Sequence, residues 1–288
     1  MILVIFTGSR YADWRLAEKG RLLHGFRTAG INSYIQDENF INQLLNKNTD
    51  LLYNAEKVKK IFFFGAGASS KERQEKIIQV FSTFFKNAKV KASHDLDAAA
   101  ISTFGDDKGI VGIIGSGSNA AYFTGKKIIT NNYGLGYILA DEGSTNWIAQ
   151  QVLRDYLTDA MPQGFREKLD EKYSMDRKYI LEKLYNNPNP NIFLTSFADF
   201  FYEHRYEPYL SNIIKKGLNL YITTYLLPLL DQYPDSNISL TGSVAHNYQE
   251  WLTEFAKEYH LNIKTITKEP IQNLIKYFHS NHFTTIHK

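Results

Sequence analysis

Two similar α/β halves are what this sequence predicts, and three observations carry that prediction. A strand, turn and strand pattern at the start, ILVIFTGSRYADW (residues 2–14), returns as VGIIGSGSNAAYF (residues 111–123). Apolar runs stopped by glycine alternate along the chain with segments of helical periodicity. The 288 residues, 43% hydrophobic and 22% charged with 19 Tyr and 19 Phe, supply enough apolar mass for two cores.

Overlaying the two hairpins in sequence pairs Thr7-Gly8-Ser9 with Ser116-Gly117-Ser118, Ala12 with Ala121 and Trp14 with Phe123. A glycine flanked by hydroxyls makes a turn whose backbone N–H groups can face an anion. After the first hairpin, residues 30–36 (GINSYIQ) read as extended, and residues 37–45 as a helix capped by Asp37. KKIFFFGAG is a buried strand stopped by glycines, and SKERQEKIIQVFSTFFKNA places its apolar residues at helical spacing. VKASHDLDAAA reads as a strand entering a helix, and the second half starts near Gly109. GLGYILADEGSTNW leads into a helix over residues 148–157, and residues 166–230 are mainly helical with a break at NNPNPN. ISLTGSVAHNYQEWL reads as strand, Gly-Ser turn and helix, and LNIKTIT is a last strand before a terminal helix.

Composition narrows the function classes. A net charge of +3 spread along the chain gives nucleic acid no basic footprint, and no apolar run nears the length of a bilayer span. The expected address is cytoplasmic, with no membrane partner. The absence of cysteine excludes disulfides and thiolate metal sites.

Several stretches carry chemistry. IIGSGSN (residues 113–119) and TGS (residues 241–243) are Gly-Ser turns at strand ends, like the opening one, and three such turns fit a nucleotide site. In SHDLDAAA, Asp95 and Asp97 stand where strand gives way to helix, so one can take a proton from a substrate hydroxyl while the other caps the helix. His94 has no second histidine or carboxylate at metal-binding spacing, and no metal-ligating cluster is expected. The acids of DEGS (Asp141 and Glu142) can bond sugar-like hydroxyls, help a metal through water, or serve as the cap of the next helix with a favourable dipole charge. Asn32 is a polar residue that can address a substrate amide or hydroxyl.

Taken in order, the hairpin, GIN, FFGAG, HDLDAAA, GIIGSGSN, LGYILADEGS and LTGSVAHNYQEWL resemble the N-acetylglucosamine kinases and BadF/BadG/BcrA-type ATPases nearly end to end. The resemblance implies the sugar-kinase, actin and Hsp70 fold: two ribonuclease-H-like (actin-like ATPase) domains with a cleft between them. These would span residues 1–108 and 109–288, the terminal helix packing back on the first. Asp95 then looks like the general base. Gly8 and Ser9 look like the first phosphate loop, Gly115, Ser116, Gly117 and Ser118 like the second, and Gly242 with Ser243 like the adenosine-side turn. Asn32, Asp141 and Glu142 resemble sugar-contacting residues. ATP and Mg²⁺ are the implied cofactors, a small-molecule sugar the implied ligand and a homodimer the implied assembly.

The opening turn departs from the family. There the first loop begins with an aspartate that holds the water shell of the magnesium ion; here Phe6 stands in its place, and Arg10 and Tyr11 replace small or lysine residues. Thr145 and Asn146 stand where the family has glycine and alanine. Two functions are therefore expected from the resemblance: an ATP-dependent kinase of a hexosamine hydroxyl, or a non-catalytic relative that binds a sugar-like ligand without phosphoryl transfer.

Overall fold

The computed structural model describes residues 1–8, 10–18, 21–33, 36–129 and 131–283. Its chain divides into two compact units, one of residues 1–109, 123–128 and 269–288, the other of residues 110–122 and 129–268.

The first unit is built on β1 (Ile2–Thr7), β2 (Tyr11–Glu18), β3 (Arg21–Ala29), β4 (Lys60–Gly65) and β5 (Lys89–His94), in the sheet order β3-β2-β1-β4-β5. β1, β2 and β3 form an antiparallel meander, while β4 and β5 run parallel to β1. The apolar runs LVI in β1 and IFFF in β4 follow from that central position, because a strand covered on both faces needs apolar side chains on both. Leu3, Ile5, Ile61 and Phe63 pack on one face with Trp14, Phe81 and Phe85. That face carries α1 (Glu38–Lys47), α2 (Thr49–Asn54) and α3 (Lys71–Phe84). Val4, Phe62 and Phe64 pack on the other, against α4 (Asp95–Phe104) and a last helix that begins at Ile271.

Local chemistry sets these helix starts. Asp37 and Ser70 accept from the N–H groups of Phe40 and Arg73, as N-caps do. α4 is capped by neither of its aspartates as first residue: His94 is the cap, and Asp97 accepts from the His94 N–H. The segment expected to be extended, residues 30–36, is a loop among its described residues; the strand lies earlier, as β3.

The second unit holds β6 (Gly109–Ile114), β7 (Ser118–Phe123), β8 (Ile238–Thr241) and β9 (Ile263–Thr267), in the order β7-β6-β8-β9. Its helices are α5 (Thr145–Leu157), α6 (Gln163–Lys172), α7 (Arg177–Tyr185), α8 (Pro190–Thr195), α9 (Ala198–Glu203), α10 (Pro208–Tyr221), α11 (Leu227–Gln232), α12 (Ser243–Asn247) and α13 (Gln249–Glu258). One core joins Ile110, Ile114 and Leu240 of the sheet to Ile148, Val152, Leu218, Tyr221 and Trp251 of the helices. A π-helical segment, Ile222–Leu226, runs between α10 and α11. The terminal helix α14 (Ile271–Phe283) belongs to the first unit.

Matching the strand ends of the two hairpins, Thr7 with Ile114 and Tyr11 with Ser118, places Gly8 over Gly115 and Arg10 over Gly117. The repeat is therefore real in backbone form but shifted by two residues from the pairing read in the sequence.

Candidate functional site

In the first unit the register of the parallel strands sets Thr7, Gly65 and His94 side by side at the carboxyl ends of β1, β4 and β5. Such ends are where open α/β sheets bind ligands. Gly65 is required in that row, since a Cβ there would lie 2.8 Å from the Thr7 methyl. One residue further, Gly8 and Asp95 begin the turn and the helix. The Thr7 hydroxyl accepts from the Ile31 N–H at 2.7 Å and donates toward the Gly8 carbonyl at 3.1 Å, tying the loop that carries Asn32 to the end of β1. Asn32 is held from its other side, its N–H donating to Gln36 Oε1 at 2.7 Å. Ser9 lies outside the described residues.

Asp95 starts α4 with its Oδ1 buried and 3.0 Å from His94 Nδ1, while the side chain as a whole is 20% exposed. The group that compensates Oδ1 is the His94 imidazole, through its charge and its Nδ1–H. Burial alone would raise the Asp95 pKa, but the charge of His94 and its bond overcome that and hold the carboxyl below its ordinary value. Burial likewise works against a charged His94, and Asp95 reverses the balance, raising the imidazole above its ordinary value. Asp97 moves the other way, raised by burial. His94 Nδ1 also lies 3.4 Å from the Leu96 N–H. One nitrogen cannot accept there and carry a proton toward Asp95, and the shorter contact belongs to the protonated form.

Phe6 is the direct cross-strand partner of Asp13, so the two side chains share one face of the sheet. Asp13 is buried and committed: Arg27 Nε donates to it at 2.7 Å, Arg15 stands 3.8 Å away, and Arg27 also bonds Glu269. Tyr11 is half exposed, with the Arg10 guanidinium 5.2 Å from its ring.

The second unit gathers its expected residues at the ends of β6 and β8. In the turn between β6 and β7, the Gly115 N–H bonds the Gly117 carbonyl, and the Ser118 N–H donates to Asp141 Oδ1 at 3.1 Å. The N–H groups of Ser116 and Gly117 have no partner among the described residues. The carbonyls of Gly115 and Ser116 accept from Thr145 and Asn146, which docks the turn on the start of α5. Gly242, at φ +115°, lies so close to β6 that a Cβ would fall 2.3 Å from the Ile114 carbonyl oxygen, and Ser243 follows it, exposed.

The acids of DEGS do not cap α5. Ser144 does, accepting from the Trp147 N–H. Asp141 instead turns back to the Gly-Ser turn from a left-handed backbone position, φ +63°, and lies against Gly117, where a Cβ would come within 2.7 Å of its Oδ2. Glu142 is half buried. Its carbonyl accepts from the Ser118 hydroxyl at 2.8 Å and its Oε2 from the Tyr225 hydroxyl at 2.5 Å. Thr7, His94 and Tyr225 were missed by sequence reasoning. Threonine in a strand and tyrosine in a helix give no signal of their contacts, and histidine is not a favoured N-cap.

These donor sets answer differently to the two implied cofactors. The unpaired N–H groups of the second turn fit a phosphate. The first turn does not fit a protein-held magnesium ion: position 6 is apolar and Asp13 is neutralised by arginine. Among the described residues no three His, Asp or Glu side chains converge as a metal site. No helix among them is long and apolar enough to cross a membrane.

No family model matches the chain, and no curated protein matches it. Among solved structures, a protein of Porphyromonas gingivalis assigned as an N-acetylglucosamine kinase is 31% identical, with 98% of this chain and 100% of that one covered at a TM-score of 0.90. A protein of Chromobacterium violaceum with the same assignment aligns over 96% and 98% of the two chains at 13% identity and a TM-score of 0.66. A ROK-family glucokinase of Streptomyces griseus, solved with glucose and AMPPNP, aligns over 92% and 93% at 13% identity and a TM-score of 0.56. The last two similarities show the fold; the first, over the whole of both chains, shows kinship. The chain belongs to the N-acetylglucosamine kinase family, sugar kinases of the actin-like ATPase fold.

Proposed function

We propose that this protein is an ATP-dependent kinase of a hexosamine of the N-acetylglucosamine type, with Asp95 as general base. The observation that carries the reading is the division of labour at Asp95: Oδ1 is buried against His94, and the exposure of the side chain lies on its other atoms. A carboxylate held ionised, with part of its side chain still exposed, is what a sugar hydroxyl needs as it loses its proton. ATP, when bound, supplies the phosphoryl group. The N–H groups of Ser116 and Gly117 would hold phosphate oxygens, with Gly115, Ser118, Gly242 and Ser243 shaping their surroundings and Gly8 and Ser9 the first turn. Asn32, Asp141 and Glu142 would address the sugar. No step is assigned to a magnesium ion held by the first turn.

The test is ADP release with N-acetylglucosamine. Asp95→Asn should lower it by about 10²–10⁴-fold, the usual worth of a positioned base, and leave calorimetric sugar binding intact. Release that survives the substitution rejects Asp95 as base.

A second reading, a non-catalytic sugar-binding relative, draws support from one observation: Phe6 faces an aspartate already neutralised by Arg27 and Arg15. On that reading the protein binds N-acetylglucosamine, shows no heat with Mg-ATP at millimolar nucleotide, and gains nucleotide binding in Phe6→Asp.

A further inference from the structure

The long helical stretch of the second unit changes form at one point. α10 gives way to the π-helical segment Ile222–Leu226, in which the Leu227 N–H reaches back five residues to the Ile222 carbonyl, before α11 resumes. Pro228 supplies the cause: it has no N–H, and its ring crowds the carbonyl four residues earlier, at Thr224. A widened turn relieves that crowding. π-helical turns are rare, and they recur at functional sites because they re-aim the side chains they carry.

Here the re-aimed side chain is Tyr225. It is 1% exposed, its hydroxyl donates to Glu142 Oε2 at 2.5 Å, and that length is typical of a charge-assisted bond. Burial first, and the bond to Glu142 second, push the phenol pKa up, so it stays a donor throughout the physiological range. Two glycines make the approach possible. A Cβ on Gly217 of α10 would stand 3.0 Å from Gly143 Cα, and one on Gly143 would stand 2.8 Å from the Gly217 carbonyl oxygen. One turn earlier, the Tyr221 hydroxyl bonds the Asn119 carbonyl at 3.1 Å.

From this geometry we infer that Tyr225 is a specificity-determining positioning residue: it commits one oxygen of Glu142 to the protein and presents the other as a fixed acceptor for a hydroxyl of the sugar. The inference rests on the reading of Glu142 as a sugar contact and adds what that reading lacks, the group that orients it. A carboxylate with one oxygen already satisfied selects for a ligand O–H at a single place, and a ligand without that hydroxyl leaves the remaining oxygen unpaired.

The experiment is calorimetry of N-acetylglucosamine and its monodeoxy analogues with the full chain, in wild type, Tyr225→Phe, Glu142→Gln and Tyr209→Phe. The last removes a partly buried phenol bond, to Asp155, that is remote from Glu142 in role. The inference requires three results together. Wild type rejects one deoxy analogue; Tyr225→Phe weakens the parent sugar by about tenfold or more, the cost of losing a bond to a charged group, and loses the rejection; Tyr209→Phe binds like wild type. Glu142→Gln, which keeps the size of the side chain, should also lose the rejection and decides the matter if Tyr225→Phe does not fold. Unchanged sugar affinity and discrimination in Tyr225→Phe, or in Glu142→Gln, overturns the inference while leaving the kinase reading untouched. Absence of ADP release with binding and discrimination intact sinks the kinase reading alone. Failure of wild type to bind the sugar overturns this inference together with the sugar-contact reading.

Discussion

His94 and Asp95 form a pair whose effect on stability has a definite pH window. The folded pKa of Asp95 is lowered, so its contribution is present above the unfolded carboxyl value, about 3.9, and is lost as pH falls through the folded value. That of His94 is raised, so its contribution is fully present below the unfolded imidazole value, about 6.5, and is lost as pH rises through the folded value. Both hold together between those limits. His94→Gln should therefore lower the melting temperature more at pH 5.5 than at pH 8.5, and equal losses at the two values would show that the ion pair contributes nothing. Asp97 from α4, Arg73 from α3 and Lys91 from β5 are the other charges around this pair. Thr7 offers a second residue-scale test. Thr7→Val keeps the shape but leaves the buried Ile31 N–H without its acceptor, a loss of about 1–3 kcal/mol in denaturant unfolding. Sugar affinity should fall with it if the Asn32 loop is part of the site.

At the scale of elements, the contact between α10 and the DEGS turn reverses an ordinary rule. Alanine in place of glycine inside a helix normally adds about 1 kcal/mol. At Gly217 the new methyl would meet Trp147 at 2.9 Å and Gly143 at 3.0 Å, and overpacking costs about 1–3 kcal/mol. Gly217→Ala is expected to destabilise, which a shift of the denaturation midpoint to lower urea would register. Which elements the sequence revealed follows the same physics. Strands buried on both faces, such as KIFFFG, and helices opened by Asp37 or Ser70 announce themselves through apolar runs and caps. β3 does not, because RLLHGFRTA is an edge strand with most residues exposed, and its Leu22 and Leu23 face solvent with no alternation to read. The Gly-Ser turns and both acids of DEGS were legible as polar punctuation at strand ends. Their partners were not: the bond from Ser118 to Asp141 spans 23 residues and that from Tyr225 to Glu142 spans 83, and no local pattern encodes such pairings.

At the scale of the whole molecule, each unit has its own core, and the first is completed by residues distant in sequence. Ile271, Leu274, Ile275 and Phe278 of α14 cover Val4, Phe62 and Phe64, with the rings of Phe62 and Phe278 stacked at 4.0 Å. Phe278→Ala should cost about 3–5 kcal/mol, read by chemical denaturation with the tryptophan of that unit, Trp14, as reporter. A loss under 1 kcal/mol would mean that α14 adds little to this core.

That closing helix sets an order in time. While the ribosome extends the chain from Gly109 to Glu269, the face formed by Val4, Phe62 and Phe64 has only α4 as cover and lacks α14. At ordinary synthesis rates the interval is on the order of 10–30 s, long enough for an aromatic strand surface to meet another nascent chain. The amino-terminal unit, first to be made, is thus the last to be finished, and moving α14 ahead of β1 by circular permutation should raise the soluble yield of rapid expression.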